Sequence, residues 1–597
     1  MLRVAIAQFR PRKAAYRANL ERVTELFREV GRQAEPVDLL VLPETALTGY
    51  FVEGGVRELA VTAEQLFADL SAAHASSGAP PLDVVLGFYE LWNTRLYNSA
   101  LAARLGGPDA GVRHVHRKIF LPTYGVFDEE RFVEPGRWVQ AFDTAFARMA
   151  VVVCEDAWHS VVPTMAALDG AQVVIVLSAS PARGIQPGEG IDGRPGSTTR
   201  WERVAQSIAA EHGVFVVVAH LVGFEGGKGF PGGSLVADPR GSVVVRAPIF
   251  ADALTVATLD LDEITRARAE EPLLSDLETH LPHLLDSMVQ RRETGRLPGP
   301  ADSAGVRSAP FEPRRRPPRP AVPPRPGDPL AIDPELTERW LVEFLRDEVT
   351  RRRGFERVVI GVSGGVDSAV VAYLAARAFG PEHVTGVRMP YRTSSQESLS
   401  HAQLVIDRLG IASRTVEISA GVDGLAAQLD PVPPGRLGNI MARMRMITLF
   451  DLSAALRAIP LGTGNKTERL FGYFTWHADD SPPVNPIGDL FKTQVWALAR
   501  HLGVPDEIVA KAPTADLVAG QTDEGDFGIS YGKADQILHW VLSGYPDEAV
   551  ARLGFSGDEI ALVRRRLDST HWKRKLPTVA MLSPTAIGEF YLRPVDY

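Results

Sequence analysis

Cysteine is almost absent: Cys154 is the only one in 597 residues. An intramolecular disulfide framework is therefore excluded, and so is a structural zinc site built on thiolates. No run approaches the ~18–20 apolar residues needed to cross a bilayer. The apolar stretch in the opening MLRVAIAQFRPRK is about five residues, short of the ~7–15 of a secretory h-region. Nor is there a basic excess. Lys and Arg number 64 against 73 Asp and Glu, a net charge of −9, which argues against a generally basic nucleic-acid binder. The expectation is a soluble cytoplasmic protein with neither nucleic-acid nor membrane partners. What is present is ordinary globular material, 45% apolar and 23% charged. The length is several times the roughly 100–200 residues of one domain, so two or more domains are expected.

One composition break divides the chain. From Leu297 to Pro329 it reads LPGPADSAGVRSAPFEPRRRPPRPAVPPRPGDP, where repeated prolines remove backbone donors and disfavour helix, as in an extended linker or surface-hugging segment. Before the break, short apolar runs recur: VAIAQ (4–8), DLLVLP (38–43), VVLGFY (84–89), VRHVHR (112–117), MAVVVC (149–154), VVIVLS (173–178) and FVVVAH (215–220). Helical spacing over 19–33 separates the first two, so a layered α/β domain is predicted. Residues 262–296 read as helical and polar. After the break, Leu336–Arg352 reads as an amphipathic helix. VVIGV (358–362) is then a buried strand, SGGVDS a turn, AVVAYLAARAF a helix, VTGVRMP (384–390) a strand and 396–409 a helix. Strand, glycine turn, helix, strand begins a doubly wound parallel sheet.

Three reactive side chains in the first half share a position. Glu44 follows DLLVLP, Lys118 follows VRHVHR and Cys154 follows MAVVV. Each lies where an apolar strand ends, which is where α/β layers put their active sites. A thiol at such a strand-to-helix turn feels amides that favour thiolate. Taken singly, each has a plainer reading. A lone Cys is more often a small buried apolar side chain, and a charge at a strand end is most often solvated.

Together with their flanking words they carry more. LPETALTGY, HRKIFLPTYGVFDEERF and VVVCEDAW, followed in order by LSASP (177–181) and GFPGGSLVADPRG (229–241), resemble the nitrilase (carbon–nitrogen hydrolase) superfamily in its glutamine amidase form, over about residues 1–262. The resemblance implies an αββα sandwich for residues 1–265. It also implies roles that make chemical sense. Cys154 attacks the glutamine amide to give a thioester. Glu44 takes the thiol proton, passes it to the departing ammonia and later activates water. Lys118 steadies the carboxylate and the oxyanion. Glu129 matches the family's second acidic position. Tyr124, Ser180 and Arg183 are glutamine-binding candidates together with Glu129.

SGGVDSA (363–369) is the sharpest short signal in the chain. It lacks the lysine of a GxxxxGK[ST] loop. Its glycines let backbone N–H groups approach an anion, and the next helix offers its positive end. Ser363 and Ser368 add hydroxyl donors. Asp367 would repel phosphate and makes sense holding Mg²⁺ against it. The loop resembles that of the ATP pyrophosphatases, which on this signature alone leaves several acceptors open.

Five further words narrow the choice: MPYRTSSQES (389–398), GNIMARMRM (438–446), LGTGNKTERLFGYFT (461–475), NPIGDLFKTQVWALARHLGVP (485–505) and ADLVAGQTDEGDFG (515–528). In order, they resemble the NAD synthetase family across about 330–597. That resemblance implies a doubly wound parallel-sheet domain of the adenine nucleotide alpha hydrolase type. It makes Gly361, Ser363, Gly364, Gly365, Asp367, Ser368 and Thr463 candidates for ATP. Asp367 and Glu468 become a metal pair, and Asn439, Arg445, Glu468, Tyr473, Lys492 and Lys573 candidates for deamido-NAD. Asp516 and Asp523 fall in the family's mobile loop region, where local capping is an equal reading. WHADDSPP (476–483) departs from the family's usual word, with Asp479 still able to align.

The expected organisation is an amidase domain (1–265), a helical extension and Pro/Arg-rich linker (266–329) and a synthetase domain (330–597). The expected reaction is amidation of deamido-NAD with ammonia from glutamine, through an adenylated intermediate, with ATP as co-substrate and Mg²⁺ as cofactor. The resemblance also implies a homo-oligomer. The competing readings are a glutamine-dependent adenylating amidotransferase for another carboxylate, and a nucleotide-binding protein without turnover.

Overall fold

The computed structural model describes residues 1–52, 55–190, 192–294, 328–514 and 522–574. These divide into two units. The first holds residues up to Arg183 and resumes at Ser197; the second holds Gly184–Gly196 and the chain from Asp328 onward.

In the first unit the strands run β1 (Leu2–Gln8), β2 (Leu39–Val41), β3 (Leu82–Trp92), β4 (Arg95–Leu105), β5 (Gly111–Arg117), β6 (Ala141–Asp143), β7 (Arg148–Val153), β8 (Val173–Ser178), β9 (Phe215–His220), β10 (Val222–Glu225), β11 (Lys228–Pro231), β12 (Leu235–Ala237), β13 (Val243–Arg246) and β14 (Ala253–Leu259). They form two six-stranded sheets among the described residues, ordered β14-β1-β2-β3-β4-β5 and β13-β12-β9-β8-β7-β6. Side-chain alternation explains the layering. On β1, Val4 and Ile6 enter the core shared by the two sheets, while Ala5 and Ala7 face the layer of Val23, Leu26 and Phe27. The last three lie on the helix Tyr16–Gly31. On β3, Val85 points inward and Val84 and Leu86 outward. A period of two thus buries both faces of one strand, which is the αββα sandwich. The strands β7, β8 and β9 are parallel neighbours and apolar on both faces, as the buried part of a sheet requires.

All seven apolar runs named above lie on strands, and 262–294 holds two helices, Asp262–Glu270 and Leu273–Thr294. The strands β4, β6 and β10 to β14 have no counterpart among those runs. In the second unit β15 (Arg357–Gly361), β16 (Val384–Arg388), β17 (Ala412–Thr415) and β18 (Ala458–Pro460) form a parallel sheet ordered β17-β16-β15-β18. Val358 and Ile360 pack towards the helix Val366–Phe379, while Val359 faces Leu449, Leu452 and Leu456 of the helix Pro434–Leu456. Helices on both faces make the sheet doubly wound. The amphipathic segment expected at 336–352 is not one α-helix. It is α-helical over Pro334–Leu345 and widens to a π-turn over Arg346–Arg351. Most of the linker (297–327) and Asp516 lie outside the described residues.

One glycine ties this architecture to a charged residue. Gly87 on β3 faces the turn after β2, and a Cβ there would stand 2.5 Å from the Glu44 Cα and 2.6 Å from the Thr45 nitrogen. Both are backbone atoms, so no rotamer relieves the clash. Gly87→Ala should cost about 1–3 kcal/mol of stability, read as a lower urea midpoint for the first unit. An unchanged midpoint would mean that the turn has room to shift.

Candidate active sites

Parallel pairing sets the first site. The strands β2 and β3 are parallel, and β5, antiparallel to β4, runs the same way. Glu44 and Lys118 therefore leave one edge of the first sheet, while Cys154 and Ala179 follow β7 and β8 in the second. The Lys118 ammonium is fully enclosed and donates to Glu44 Oε1 at 2.9 Å and Glu129 Oε2 at 2.7 Å. Asn98 Nδ2 donates to both carboxylates as well, and the Ala179 amide donates to Glu44 Oε2 at 2.6 Å. Burial works against the Lys118 charge, but Glu129 and Glu44 outweigh it and hold the ammonium well above its ordinary value. Burial pushes Glu129 up, with Lys118 opposing.

Cys154 sits in this field with φ +46°, a left-handed conformation that a non-glycine residue keeps only when its surroundings impose it. The Ser178 hydroxyl donates to its sulfur at 3.6 Å. The turn after β7 is a five-residue 3-10 helix. Burial and then the Glu44 charge push the Cys154 thiol well up, against Lys118.

The candidates for glutamine contact fall in two places. The Tyr124 hydroxyl donates to the Glu155 carboxylate at 2.9 Å, and the Arg183 guanidinium packs on Gly125, where a Cβ would meet its nitrogen at 2.5 Å. Tyr124 and Arg183 are exposed, and Ser180 next to Ala179 is half-buried. Glu129 stands apart from them, buried in the Lys118 network.

The second site is a cleft of about 340 Å³ whose lining includes Gly361, Ser363, Gly365, Asp367, Ser368, Thr463, Arg445, Glu468, Tyr473, Lys492, Asp479 and Asp523. The loop before the helix Val366–Phe379 is drawn tight by its own hydroxyls. Ser368 Oγ accepts from the Ser363 amide at 3.2 Å and donates to the Gly365 carbonyl at 3.0 Å. Gly364 has φ +81° and lies so close to the Ser398 carbonyl that a Cβ would approach it to 2.1 Å. Lys492 is buried, pairs with Asp367 and lies 4.0 Å from Glu468. Burial and then Asp367 push Glu468 up to about 8, with Lys492 opposing. Asp523 accepts from the Tyr531 hydroxyl at 2.9 Å, and its other oxygen is buried without a hydrogen-bond partner.

These acids test the expected metal pair. Among the described residues no three His, Cys, Asp or Glu form a cage. Mg²⁺, however, takes one or two carboxylates and completes its shell with substrate phosphates and water. Glu468, Asp367 and an unpartnered Asp523 oxygen line one cleft and offer oxygen donors of the kind such an ion takes, so the residues fit it. Two of the deamido-NAD candidates do not line the cleft. Asn439 accepts from the Thr475 hydroxyl at 3.1 Å, and Lys573 donates to the carbonyls of Gly472 and Phe474 at 2.7 and 2.9 Å.

Family models match both halves, carbon-nitrogen hydrolase over residues 3–269 and NAD synthase over 338–577. A glutamine-dependent NAD(+) synthetase from Thermotoga maritima is 31% identical over 611 aligned residues, covering 100% of this chain and 98% of that one. The chain belongs to the glutamine-dependent NAD(+) synthetases. The synthetase half alone is 46% identical over 260 residues to an NH(3)-dependent NAD(+) synthetase from Chlorobaculum parvum, covering 43% of this chain and 94% of that protein. In fold, the synthetase matches the solved structure of the glutamine-dependent NAD+ synthetase from Acinetobacter baumannii in complex with ADP, with a TM-score of 0.66 and 24% identity over 97% of this chain and 95% of that one.

Several site residues of the synthetase were not singled out from the sequence. Asn98 bridges Glu44 and Glu129 from within β4, and Ser178 meets the Cys154 sulfur. Asn465 caps the helix Lys466–Phe471 and donates to Asp367 at 3.2 Å. Asp535 accepts from the hydroxyls of Thr467 and Thr493, neighbours of Glu468 and Lys492. Only Asn465 left a readable signal, the N-x-x-E of a capping box in NKTE.

The electrostatics of Cys154 give a test. Because the Glu44 charge raises the thiol, Glu44→Gln should speed alkylation of Cys154 by iodoacetamide at pH 9 relative to the parent. Equal alkylation would mean that the carboxylate charge does not act on the sulfur, and slower alkylation would mean that proton removal by Glu44 outweighs its charge.

Proposed function

We propose that residues 1–265 hydrolyse glutamine and residues 330–597 use ATP to activate the carboxylate of deamido-NAD, which ammonia then converts to NAD. The observation that carries the first half is the buried set of Glu44, Lys118 and Glu129 beside a thiol held at φ +46°. Glu44 takes the thiol proton as the sulfur attacks the glutamine side-chain carbonyl. The same proton leaves with ammonia, and Glu44 then deprotonates the water that cleaves the thioester. Lys118 stays charged throughout and faces the developing oxyanion. Tyr124, Ser180 and Arg183 serve the amino-acid end of glutamine.

In the second half the loop 363–368 binds the phosphates through its amides and hydroxyls, with Gly361 and Thr463 beside it. Asp367 and Glu468 would hold Mg²⁺, which neutralises phosphate charge when bound. Arg445, Tyr473 and Lys492 orient the dinucleotide and the reacting phosphates. The substrate carboxylate attacks the α-phosphorus, pyrophosphate leaves, and ammonia displaces AMP from the adenylate. Orientation supplies most of the acceleration, and no protein nucleophile is needed. Asn439 and Lys573, bound elsewhere in this structure, would reach the dinucleotide only after the 472–476 turn rearranges.

We also assign the enzyme to the cytoplasm and to a homo-oligomer. No helix among the described residues is long and apolar enough to cross a membrane. Leu284, Leu285, Met288 and Val289 on the helix Leu273–Thr294 are at least half exposed, an apolar stripe suited to a second copy.

Product assay with deamido-NAD, ATP, Mg²⁺ and either glutamine or ammonium tests the reading. Cys154→Ala should abolish glutamine-driven synthesis and keep ammonium-driven synthesis within about twofold of the parent, as expected when no transition-state interaction of the second site is removed. Loss of both activities in a folded variant would overturn the division of labour. Asp367→Asn should stop pyrophosphate release while glutamine hydrolysis persists; undiminished pyrophosphate release would take Asp367 out of the metal role.

A further inference from the structure

Asp156 lies two residues beyond the nucleophile and is fully enclosed. A buried carboxylate is tolerated only where its oxygens are satisfied, and this one is satisfied four times. Oδ1 accepts from the amides of Ile119 at 3.0 Å and Phe120 at 2.9 Å. Oδ2 accepts from the Val153 amide at 3.2 Å and from His116 Nε2 at 2.9 Å.

The positions of those donors are the point. Ile119 and Phe120 directly follow Lys118, and His116 precedes it by two residues on β5. Val153 directly precedes Cys154 at the end of β7. The strands β5 and β7 belong to different sheets. One carboxylate therefore fastens the exit of the strand that delivers the ammonium to the exit of the strand that delivers the thiol. Cys154 needs such a fastening, because a left-handed non-glycine residue persists only where its surroundings over-determine it.

His116 is enclosed as well, and its Nδ1 is buried without a hydrogen-bond partner. The ring therefore meets the carboxylate through Nε2, a donor that keeps it turned towards both strand ends.

We propose that Asp156 and His116 form a positioning clamp that sets the Cys154 sulfur against Lys118 and Glu44. The pair touches no reacting atom and acts only through the two strand exits. It rests on the glutaminase reading above and adds to it two positioning residues.

The experiment uses the full-length enzyme and three variants, assayed for glutamine hydrolysis and for ammonium-driven NAD synthesis. Asp156→Asn keeps the shape but turns an amide N–H towards one of the donors. His116→Phe keeps the ring volume and removes the N–H, and His116→Gln puts an N–H back near the Nε2 position. A displacement of the order of 1 Å costs about 100-fold in rate. The kcat for glutamine should therefore fall by about 10–100-fold in Asp156→Asn and His116→Phe, with KM within about twofold, and His116→Gln should recover most of the loss. Ammonium-driven synthesis should stay at the parental level in all three. Where Asp156→Asn does not fold, the His116 pair decides. Parental kcat in His116→Phe, a loss confined to KM, no recovery in His116→Gln, or a parallel loss of ammonium-driven synthesis would each overturn the clamp. A parent enzyme that fails to hydrolyse glutamine would instead overturn the reading on which the clamp rests.

Discussion

The first site depends on a single cation that water never reaches. Lys118 is closed in between Glu44 and Glu129, with Asn98 bridging the same two carboxylates. Removing one partner of such a buried pair costs about 3–5 kcal/mol, because the partner left behind is charged and unsolvated. Everything else in the unit follows from holding that group still. The two sheets converge on it from opposite sides, Gly87 gives the Glu44 turn its closeness, and the Ala179 amide takes the oxygen of Glu44 that Lys118 leaves free.

The second unit repeats the motif with a different outcome. Lys492 also sits among carboxylates, Asp367 and Glu468, but these acids line an open cleft, and Glu468 holds its proton up to about pH 8. In the first unit two acids and one cation are sealed from water. In the second the same ratio of acids to cation lines a cleft that is open to a ligand. The same residue types give a closed ion cluster in one place and an open, acid-lined cleft in the other.

Much of this was legible in the sequence. Glu44, Lys118 and Cys154 could be found because each closes an apolar strand, and the glycine loop because a strand precedes it and a helix follows. The strand β4 was hidden for a physical reason. RLYNSALAARL has no β-branched residue and reads as weakly β-forming, although its alternating small side chains are what let two sheets and a helix layer pack around it. Asn98 was hidden with it. The opposing pull on the thiol was hidden because proximity to helix amides is a local property, whereas burial and a neighbouring carboxylate are tertiary. Asn439 and Lys573 have the right chemistry, yet their hydrogen bonds are taken by Thr475 and by the carbonyls of the 472–474 turn. Such competition within the fold leaves no trace in a linear word.

The resting state of Cys154 carries a consequence beyond turnover. Peroxide attacks sulfur in proportion to its thiolate character and exposure. Here the sole cysteine of the chain is enclosed, and burial and the Glu44 charge push its thiol up. Both disfavour oxidation of a sulfur that has no second thiol in the chain with which to form a rescuing disulfide.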